Sequence, residues 1–205
     1  PTRRSSDLAA LQIAFEHDNT VLIEKFIPGR EFRIFIINDE VVGILHRVPA
    51  NVTGDGVLNI GQLIDRKNED PLRGKGYRTP LEKIRKGREE EMFLKQQGMD
   101  FNTVPKEGEV VYLRENSNIS TGGDSIDFTD DIDDSYKAIA VEAAKALNVK
   151  ITGLDMMIQD IHAPATPDNY AIIEMNFNPA IHIHCYPFKG KNRHLNHKMI
   201  RALGF

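Results

Sequence analysis

Two apolar stretches predict neighbouring β-strands: Val149-Lys-Ile-Thr-Gly-Leu-Asp-Met-Met-Ile158 and Tyr170-Ala-Ile-Ile-Glu-Met-Asn-Phe177. In the second stretch, Glu174 and Asn176 alternate with apolar residues and therefore share one face. In the first, Asp155 lies among apolar neighbours, where an uncompensated carboxylate is costly. Oxygen ligands of this kind bind Mg²⁺ together with substrate phosphates, so a metal site is expected at Asp155, Glu174 and Asn176. The alternative is that all three are solvent-facing polar positions on a half-exposed sheet.

The composition is that of an ordinary globular protein. The residues are 40% hydrophobic and 27% charged, and a chain of 205 residues is long enough for one sizeable core. The net charge of −4, without long Lys/Arg runs, argues against a nucleic-acid partner. No apolar run approaches the roughly 18 residues of a membrane span, and the single cysteine, Cys185, favours a reducing compartment. We therefore expect a cytoplasmic protein with no nucleic-acid or membrane partner.

The beginning of the chain is predicted to be non-native. Residues 1–8, Pro1-Thr-Arg-Arg-Ser-Ser-Asp-Leu8, resemble one reading frame of a sequencing adapter, so we expect native sequence from near Ala9. Residues 9–205 would then form one incomplete domain. The segment Ala9–His17 is predicted to be the end of a helix.

An antiparallel meander is predicted next. Its turns are Pro28-Gly29 and Asn38-Asp39, both turn-forming dipeptides. Its strands are Val21–Ile27, Glu31–Ile37 and Val41–Val48.

The rest of the chain mixes helices, one strand and polar loops. Residues 68–102 are charged and contain too few large apolar residues for their own core, so we expect a helical insertion there. The loop Asn116–Asp131 is polar, and Glu109–Glu115 is an apolar strand. The predicted helices are Asn59–Lys67, Pro80–Lys86, Arg88–Gln97, Asp133–Leu147 and Leu195–Leu203.

Candidate nucleotide-binding residues surround the first Pro-Gly turn. The backbone of a strand end, here 24–27, offers the donor and acceptor that adenine requires. Glu31, just after the turn, could accept hydrogen bonds from ribose hydroxyls. The alternative is an ordinary solvated glutamate beside a hairpin.

Candidate phosphate-binding residues follow the strand that ends at Arg114. The guanidinium of Arg114, together with Asn118 and the Gly122-Gly123 pair, suits phosphate or acyl-phosphate oxygens, because Arg forms a planar fork and glycine lets backbone N–H groups approach. Pairing of Arg114 with a surface carboxylate such as Glu115 is the alternative. For Arg47, at the end of another strand, the same two interpretations apply: phosphate binding, or pairing with a surface carboxylate.

The stretch His182-Ile-His-Cys185 contains soft metal ligands, but such close neighbours do not easily meet one tetrahedral zinc ion. A substrate-facing role for His182 or His184 is favoured over zinc, with packing or surface positions as the alternative.

Several motifs resemble those of the ATP-grasp ligases. They are Glu24-Lys-Phe-Ile-Pro-Gly-Arg-Glu31, Gly153-Leu-Asp155 and Glu174-Met-Asn-Phe-Asn-Pro179. Longer stretches resemble the C-terminal module of the bifunctional glutamate–cysteine ligase/glutathione synthetase, over essentially Ala9 to the C-terminus. These are His46-Arg-Val-Pro-Ala-Asn-Val-Thr-Gly-Asp-Gly56, Asp70-Pro-Leu-Arg-Gly74, Leu113-Arg-Glu-Asn-Ser-Asn-Ile-Ser-Thr-Gly-Gly123 and Asn176-Phe-Asn-Pro-Ala-Ile-His-Ile-His-Cys185. Cyanophycin synthetase shares some of these pieces but differs after the Glu-x-Asn strand. D-alanine–D-alanine ligases have an arginine at the position of Gly153, which weakens the similarity to them.

The resemblance implies an α+β fold, the C-terminal portion of ATP-grasp, with a mainly antiparallel sheet flanked by helices. It implies that ATP is bound and that Mg²⁺, or Mn²⁺, bridges its phosphates. The implied roles are an adenine hinge at Glu24, Lys25, Phe26 and Ile27, ribose binding by Glu31, metal binding by Asp155, Glu174 and Asn176, and a position near the transferred phosphoryl group for Arg114.

The implied reaction joins γ-glutamylcysteine to glycine through an acyl phosphate. The resemblance further implies a glutamate–cysteine ligase domain in the same full-length chain, and it is compatible with a homodimer. The phosphate-binding lysines of the fold would precede Ala9, so we expect little activity from this chain alone. A cyanophycin synthetase-like ligase and a non-catalytic nucleotide-binding module are the alternatives.

Overall fold

The computed structural model describes residues 3–23, 25, 27–76 and 78–205. The helices are α1 (Arg3–His17), α2 (Ile60–Lys67), α3 (Arg88–Gln96), α4 (Asp134–Ala146), α5 (His182–Cys185) and α6 (Leu195–Ala202). The strands are β1 (Arg30–Ile37), β2 (Glu40–Val48), β3 (Asn51–Thr53), β4 (Arg73–Gly74), β5 (Leu81–Glu82), β6 (Val110–Tyr112), β7 (Asp124–Asp127), β8 (Ile151–Ile158) and β9 (Tyr170–Asn176). A short 3₁₀ turn covers Ile119–Thr121.

The main sheet has the strand order β7-β2-β1-β8-β9, and each neighbouring pair is antiparallel. The central position of β1 follows from its sequence, because Phe32–Ile37 is buried on both faces of the sheet. A two-residue turn joins β1 to β2, and Asn38 and Asp39 both have positive φ, at 47° and 66°. This is the geometry of a type I′ hairpin, which Asn and Asp favour. The predicted α+β class, with a mainly antiparallel sheet flanked by helices, is confirmed.

Helix α4 covers one face of the sheet. Tyr136, Ala140 and Ala144 recur at helical spacing and pack against the apolar side of β1 and β8, where Leu154 and Met156 are fully buried. Asp133 accepts a hydrogen bond from the backbone N–H of Ser135 and so caps the helix. The prediction of a helix over Asp133–Leu147 is confirmed to within a residue at each end.

Helices α5 and α6 pack on the opposite face, where Phe35, Cys185 and Leu195 form a smaller apolar cluster. The polar residues of interest also lie on this face. The register pairs Arg33 with both Leu45 and Asp155, and facing residues of antiparallel strands project to the same side. Because side chains alternate between the two faces along β1, Glu31 lies on the same face as Arg33. This face of the sheet therefore carries both positive and negative side chains.

A separate core cluster joins α2, α3, β3 and β6. Asn59 caps α2: its side chain accepts a hydrogen bond from the N–H of Gln62, and the N–H of Asn59 donates to Gln62 Oε1. Ile84 and Leu94, from within residues 68–102, are buried in this cluster beside residues of α2 and β6. That residues 68–102 are an insertion stays a prediction.

Two predicted elements are wrong. The described residues of Val21–Ile27 belong to no strand. Both edges of β1 are already hydrogen-bonded, to β2 and to β8, so β1 has no free edge for a preceding strand. The predicted helix Pro80–Lys86 is instead the short strand β5, which pairs in parallel with β4.

The sequence patterns missed the short strands β3 and β4, and they also missed β7 and α5. Strand β7 lies within the predicted loop Asn116–Asp131, because a polar edge strand lacks apolar alternation and is held by its pairing with β2. Helix α5 is a single turn, too short for a periodic signal. Within the described residues, no helix combines the length and the apolar character that crossing a bilayer requires.

Candidate active site

Three predicted metal ligands lie together on neighbouring strands. Asp155 of β8 faces Glu174 of β9, and Gly153 faces Asn176 two positions along. Since facing residues of an antiparallel pair project to one side, Asp155 and Glu174 share a face of the sheet. The Asn176 Nδ2 donates to Glu174 Oε1 over 2.9 Å, which brings the amide into the same group.

Asp155 is held by two guanidinium groups. Only 2% of its surface is exposed. Arg33 binds the carboxylate through two nitrogens, with Nη2 donating to Oδ2 over 2.8 Å, and Arg47 Nη2 donates to the same oxygen over 2.9 Å. Burial by itself raises the pKa of Asp155, but the hydrogen bonds and charges of Arg33 and Arg47 outweigh it and lower the pKa below its usual value. The carboxylate is therefore ionised at neutral pH.

These residues fit a divalent cation that is also bound by phosphate. Asp155 is ionised, and Glu174 is exposed on the adjacent edge strand. In the described part of the chain, no three His, Cys, Asp or Glu side chains form a metal-binding cluster by themselves. Two carboxylates and an amide would thus be an incomplete set of oxygen ligands, as expected for Mg²⁺ that takes its remaining ligands from phosphate and water.

A cleft of about 730 Å³ is lined by Arg47, one of the two arginines that bind Asp155. Four predicted site residues line it: Glu31, Arg47, Arg114 and Asn118. The Glu31 carboxylate pairs with Arg47 and accepts a hydrogen bond of 2.7 Å from Ser117 Oγ. Glu31 therefore already has partners, and a ribose would have to share this carboxylate with them or replace one.

Arg114 is tied to α3 and not to Glu115. Its Nε donates to Glu90 Oε1 over 2.6 Å, and the guanidinium also pairs with Glu89. Glu90 is almost fully buried and also accepts from the backbone N–H of Gly87 at the start of α3. The guanidinium of Arg114 is thus anchored at the wall of the cleft.

A smaller cavity of about 190 Å³ adjoins the cleft. Arg47 and Asn118 line both spaces, so they mark the boundary between them. Arg33 and His182 also line the smaller cavity. Burial lowers the pKa of His182 below its usual value, so its imidazole is neutral at neutral pH. The substrate-facing role of His182 stays a prediction.

The structure contradicts the substrate-binding prediction for Gly122 and Gly123. Both are buried, and their N–H groups donate to backbone oxygens of the same loop, Gly122 to Ile119 and Gly123 to Asn118. A Cβ on Gly122 would lie 2.8 Å from Ile84 Cα, and φ there is +96°. These glycines allow a tight turn to pack closely, and their N–H groups are not available to phosphate.

The structure also contradicts the substrate-facing prediction for His184. This residue is fully buried between α5 and the sheet, with its ring edge-on to Phe35 at 5.3 Å between ring centroids. A Cβ on Gly43 would lie 2.8 Å from its Nδ1, so the ring fills the space that a glycine leaves. Burial, assisted by the charge of Arg33, lowers the pKa of His184 to about 3. It is a neutral core histidine.

The predicted adenine hinge is only partly described. Glu24 and Phe26 lie outside the described residues. Lys25 is exposed and Ile27 is half-buried, and neither is among the residues that line the large cleft. The cleft lining begins at Gly29, where a Cβ would lie 2.7 Å from the carbonyl oxygen of Ile158. The turn therefore packs directly on the end of β8.

Arg33 is the main site residue that sequence reasoning missed. It lies in an apolar strand and only 8% of it is exposed, a placement that is costly for a cation without a partner. The same argument that singled out Asp155 could have singled out Arg33. Met157 was also missed; it faces Glu31 and lines the cleft, but an apolar residue in a strand carries no functional signal.

Comparison with known proteins finds close relatives. No protein-family model matches the chain. The glutathione biosynthesis bifunctional protein of Desulfotalea psychrophila is 66% identical over 94% of this chain, and that of Clostridium perfringens is 59% identical over 95%. The chain spans about a quarter of the length of these curated relatives, 25% in each case.

A solved structure agrees with these relatives. The crystal structure of a bifunctional glutathione synthetase from Pasteurella multocida superposes with a TM-score of 0.84 and 45% sequence identity. The match covers 98% of this chain and 28% of that protein. The chain is therefore homologous to a segment of the bifunctional glutathione biosynthesis proteins and shares its fold, in agreement with the resemblance of the sequence motifs.

Proposed function

We propose that this chain is the part of a bifunctional glutathione-biosynthesis enzyme that binds nucleotide and metal for an ATP-dependent ligase reaction of the ATP-grasp type. The observation that carries the proposal is the position of Asp155, which faces Glu174 and is bound by Arg33 and Arg47. Arg47 lines both ligand spaces and Arg33 lines the smaller one. The substrates proposed from the relatives are ATP, γ-glutamylcysteine and glycine.

The larger cleft is assigned to the nucleotide. Its volume of about 730 Å³ falls within the range of small-molecule sites. Glu31 would accept from ribose hydroxyls, and Met157 offers an apolar surface on the same side of the sheet. Lys25 and Ile27, with Glu24 and Phe26, remain proposed for the adenine on the strength of the resemblance.

Mg²⁺, or Mn²⁺, would be held by Asp155, Glu174 and Asn176. When bound, the ion would neutralise charge on the β- and γ-phosphates. Arg33 and Arg47 keep Asp155 ionised and oriented, and they can turn toward phosphate oxygens, because a guanidinium binds carboxylate and phosphate in the same planar manner. Arg114 would approach the transferred phosphoryl group from the wall of the cleft.

The proposed chemistry takes two steps. An oxygen of the cysteinyl carboxylate attacks the γ-phosphorus, ADP leaves, and an acyl phosphate forms. The amine nitrogen then attacks the acyl carbon, and phosphate leaves. His182 offers a neutral imidazole in the smaller cavity for the proton that the amine loses. The protein contributes mainly by holding the reacting groups in line and by stabilising charge.

The test places this chain in a full-length relative. The homologous segment of the Desulfotalea psychrophila protein is replaced by residues 9–205, and ADP, phosphate and glutathione are measured with ATP, Mg²⁺, γ-glutamylcysteine and glycine. We expect glutathione from the chimera and little or none from the isolated chain. Asp155→Asn should abolish synthesis, whereas Asp168→Asn, at an exposed aspartate of the turn before β9, should retain it.

Each other outcome has a defined meaning. A chimera that binds ATP but never releases ADP would support a non-catalytic module. A product with repeated amino-acid addition would support a cyanophycin synthetase-like ligase. Full activity of the Asp155→Asn chimera would refute the metal assignment.

The proposal also includes a glutamate–cysteine ligase domain in the native full-length chain, homodimerisation and a cytoplasmic location.

A further inference from the structure

The smaller cavity has room for only a small ligand. Its volume of about 190 Å³ corresponds to roughly six water molecules. An amino acid without a large side chain fits such a space, whereas a dipeptide or a nucleotide does not. Two chain segments form walls of the cavity, one within residues 79–82 and the other residues 118–120, while Arg33, Arg47 and His182 lie among the remaining lining residues.

Arg73 links the two walls although it does not line the cavity. Its side chain is completely buried. Nη1 donates to the carbonyl oxygen of Glu82 over 2.9 Å and to that of Gly122 over 3.0 Å. Nη2 pairs with Asp124, whose other carboxylate oxygen accepts from Lys67 Nζ over 2.6 Å. One guanidinium thus joins segments that are distant in the sequence.

Each wall is connected to Arg73 by hydrogen bonds. On the first side, residues 79–82 include β5, which pairs with β4, the strand that contains Arg73 itself. On the second side, the N–H of Gly122 donates to the oxygen of Ile119 over 3.1 Å, and the N–H of Gly123 donates to that of Asn118 over 3.2 Å. The turn that carries Asn118 and Ile119 is therefore closed on the residue whose carbonyl Arg73 binds.

The cavity also offers a donor for a substrate. Arg47 lines both ligand spaces, and its Nε is buried without a hydrogen-bond partner among the described residues. A carboxylate of a small amino acid is a natural partner for that group. Its amine would then lie close to the boundary with the larger cleft, where the acyl group would be activated.

We infer that Arg73 is a positioning residue that holds two walls of the smaller cavity in place, and that this cavity receives the amine substrate and limits it to a small amino acid. The inference rests on the proposed ligase function. It also gives a role to the Asp70-Pro-Leu-Arg-Gly74 motif, which the nucleotide and metal sites do not use.

The test uses the same chimera with three single variants. Arg73→Lys keeps the positive charge but cannot bridge two carbonyl groups and a carboxylate in one plane. Ile119→Ala removes bulk from one wall. Arg66→Lys is the matched control, because Arg66 is about half exposed, lines neither of these two spaces and, among the described residues, forms its side-chain ion pair with Asp55. For each variant, KM is measured for ATP, γ-glutamylcysteine and glycine, and kcat/KM is compared for glycine and alanine.

Arg73→Lys should raise KM for glycine at least about tenfold, because a poorly placed wall weakens the binding of the small substrate, and should leave KM for ATP within about twofold. Ile119→Ala should raise the alanine-to-glycine ratio of kcat/KM by about tenfold, the effect of room for one methyl group. Arg66→Lys should change neither quantity.

Failure of the inference can be separated from failure of the proposed function. If the unmodified chimera makes no glutathione, the proposed function is wrong and the inference fails with it. If it is active but Ile119→Ala leaves the alanine-to-glycine ratio unchanged, the cavity does not select the amine. If Arg73→Lys raises KM for ATP and glycine equally, Arg73 supports the fold in general. Should Arg73→Lys fail to fold, Ile119→Ala decides the question.

Discussion

The ion pair between Asp155 and Arg33 can be tested by removing one charge. Asp155→Asn keeps the size of the side chain but takes away the negative charge that three guanidinium hydrogen bonds share. Arg47 keeps its pairing with Glu31, whereas Arg33 is left buried without a counter-ion. Breaking a buried pair from one side costs about 3–5 kcal/mol, so we expect a loss of that size in the free energy of unfolding.

Urea unfolding at pH 7, followed by circular dichroism, measures this loss. With an m-value of about 2 kcal/mol/M, the midpoint should fall by about 2 M. Asp168→Asn makes the same chemical change at an exposed site and should alter the free energy of unfolding by less than about 0.5 kcal/mol. This comparison separates the loss of a paired charge from the substitution itself.

A double-mutant cycle then isolates the pair. Arg33→Met removes the second charge and keeps an unbranched apolar chain. The double variant Arg33→Met/Asp155→Asn should be less destabilised than the sum of the single variants, by at least about 1 kcal/mol, because no uncompensated charge remains. Additive effects, or a cost below about 1 kcal/mol for Asp155→Asn alone, would refute the argument that buried charge pairing holds this part of the sheet.

Three further predictions concern stability and use the same unfolding assay. Gly153→Ala should cost about 1–3 kcal/mol, because its Cβ would lie 2.8 Å from the Cβ of Pro179; a cost near zero would mean that the neighbouring chain yields easily. His184→Leu should reduce the pH dependence of stability. The folded imidazole has a pKa of about 3 against 6.5 for the unfolded chain, so lowering the pH from 6.5 to 5 adds protons only to the unfolded state and costs the wild type about 1.7 kcal/mol. Over the same pH range, the free energy of unfolding of the His184→Leu variant should fall by that much less than that of the wild type. Parallel curves of stability against pH would contradict the assignment of His184 as a neutral core histidine. Asn59→Ala should cost about 1 kcal/mol by removing the cap that Gln62 completes, and Asn59→Ser should restore most of it; equal values for the two variants would exclude a capping role.

Local sequence patterns predicted the elements that have strong local signals. An apolar stretch identified β8, alternation of apolar and polar residues identified β9, and an apolar helical face with aspartates in its first turn identified α4. The turn at Asn38-Asp39 could also be predicted from local sequence, because the conformation of a two-residue hairpin turn depends on the residues within it. The patterns failed at Val21–Ile27, where apolar residues were present but the neighbouring strand had no free edge.

The sequence predicted which residue types could serve as ligands in the candidate site, but not which distant residues they contact. The rarity of carboxylates in apolar strands pointed to Asp155, and alternation placed Glu174 and Asn176 on one face. The residue that holds Asp155 lies 122 positions away in the sequence, and no local pattern relates two such positions. The burial of His184 and the use of the Gly122 and Gly123 N–H groups within their own loop likewise depend on which segments pack together.

The sequence by itself therefore determined four of the five strands of the main sheet and the main helices, and it proposed the candidate oxygen ligands, since periodicity and turn preference act over a few residues. Tertiary structure alone decided that Arg33 pairs with Asp155, that Arg73 joins two cavity walls and that His184 is a core residue. The physical reason is that burial and charge pairing are properties of contacts between distant segments, which exist only after the sheet and its covering helices have assembled.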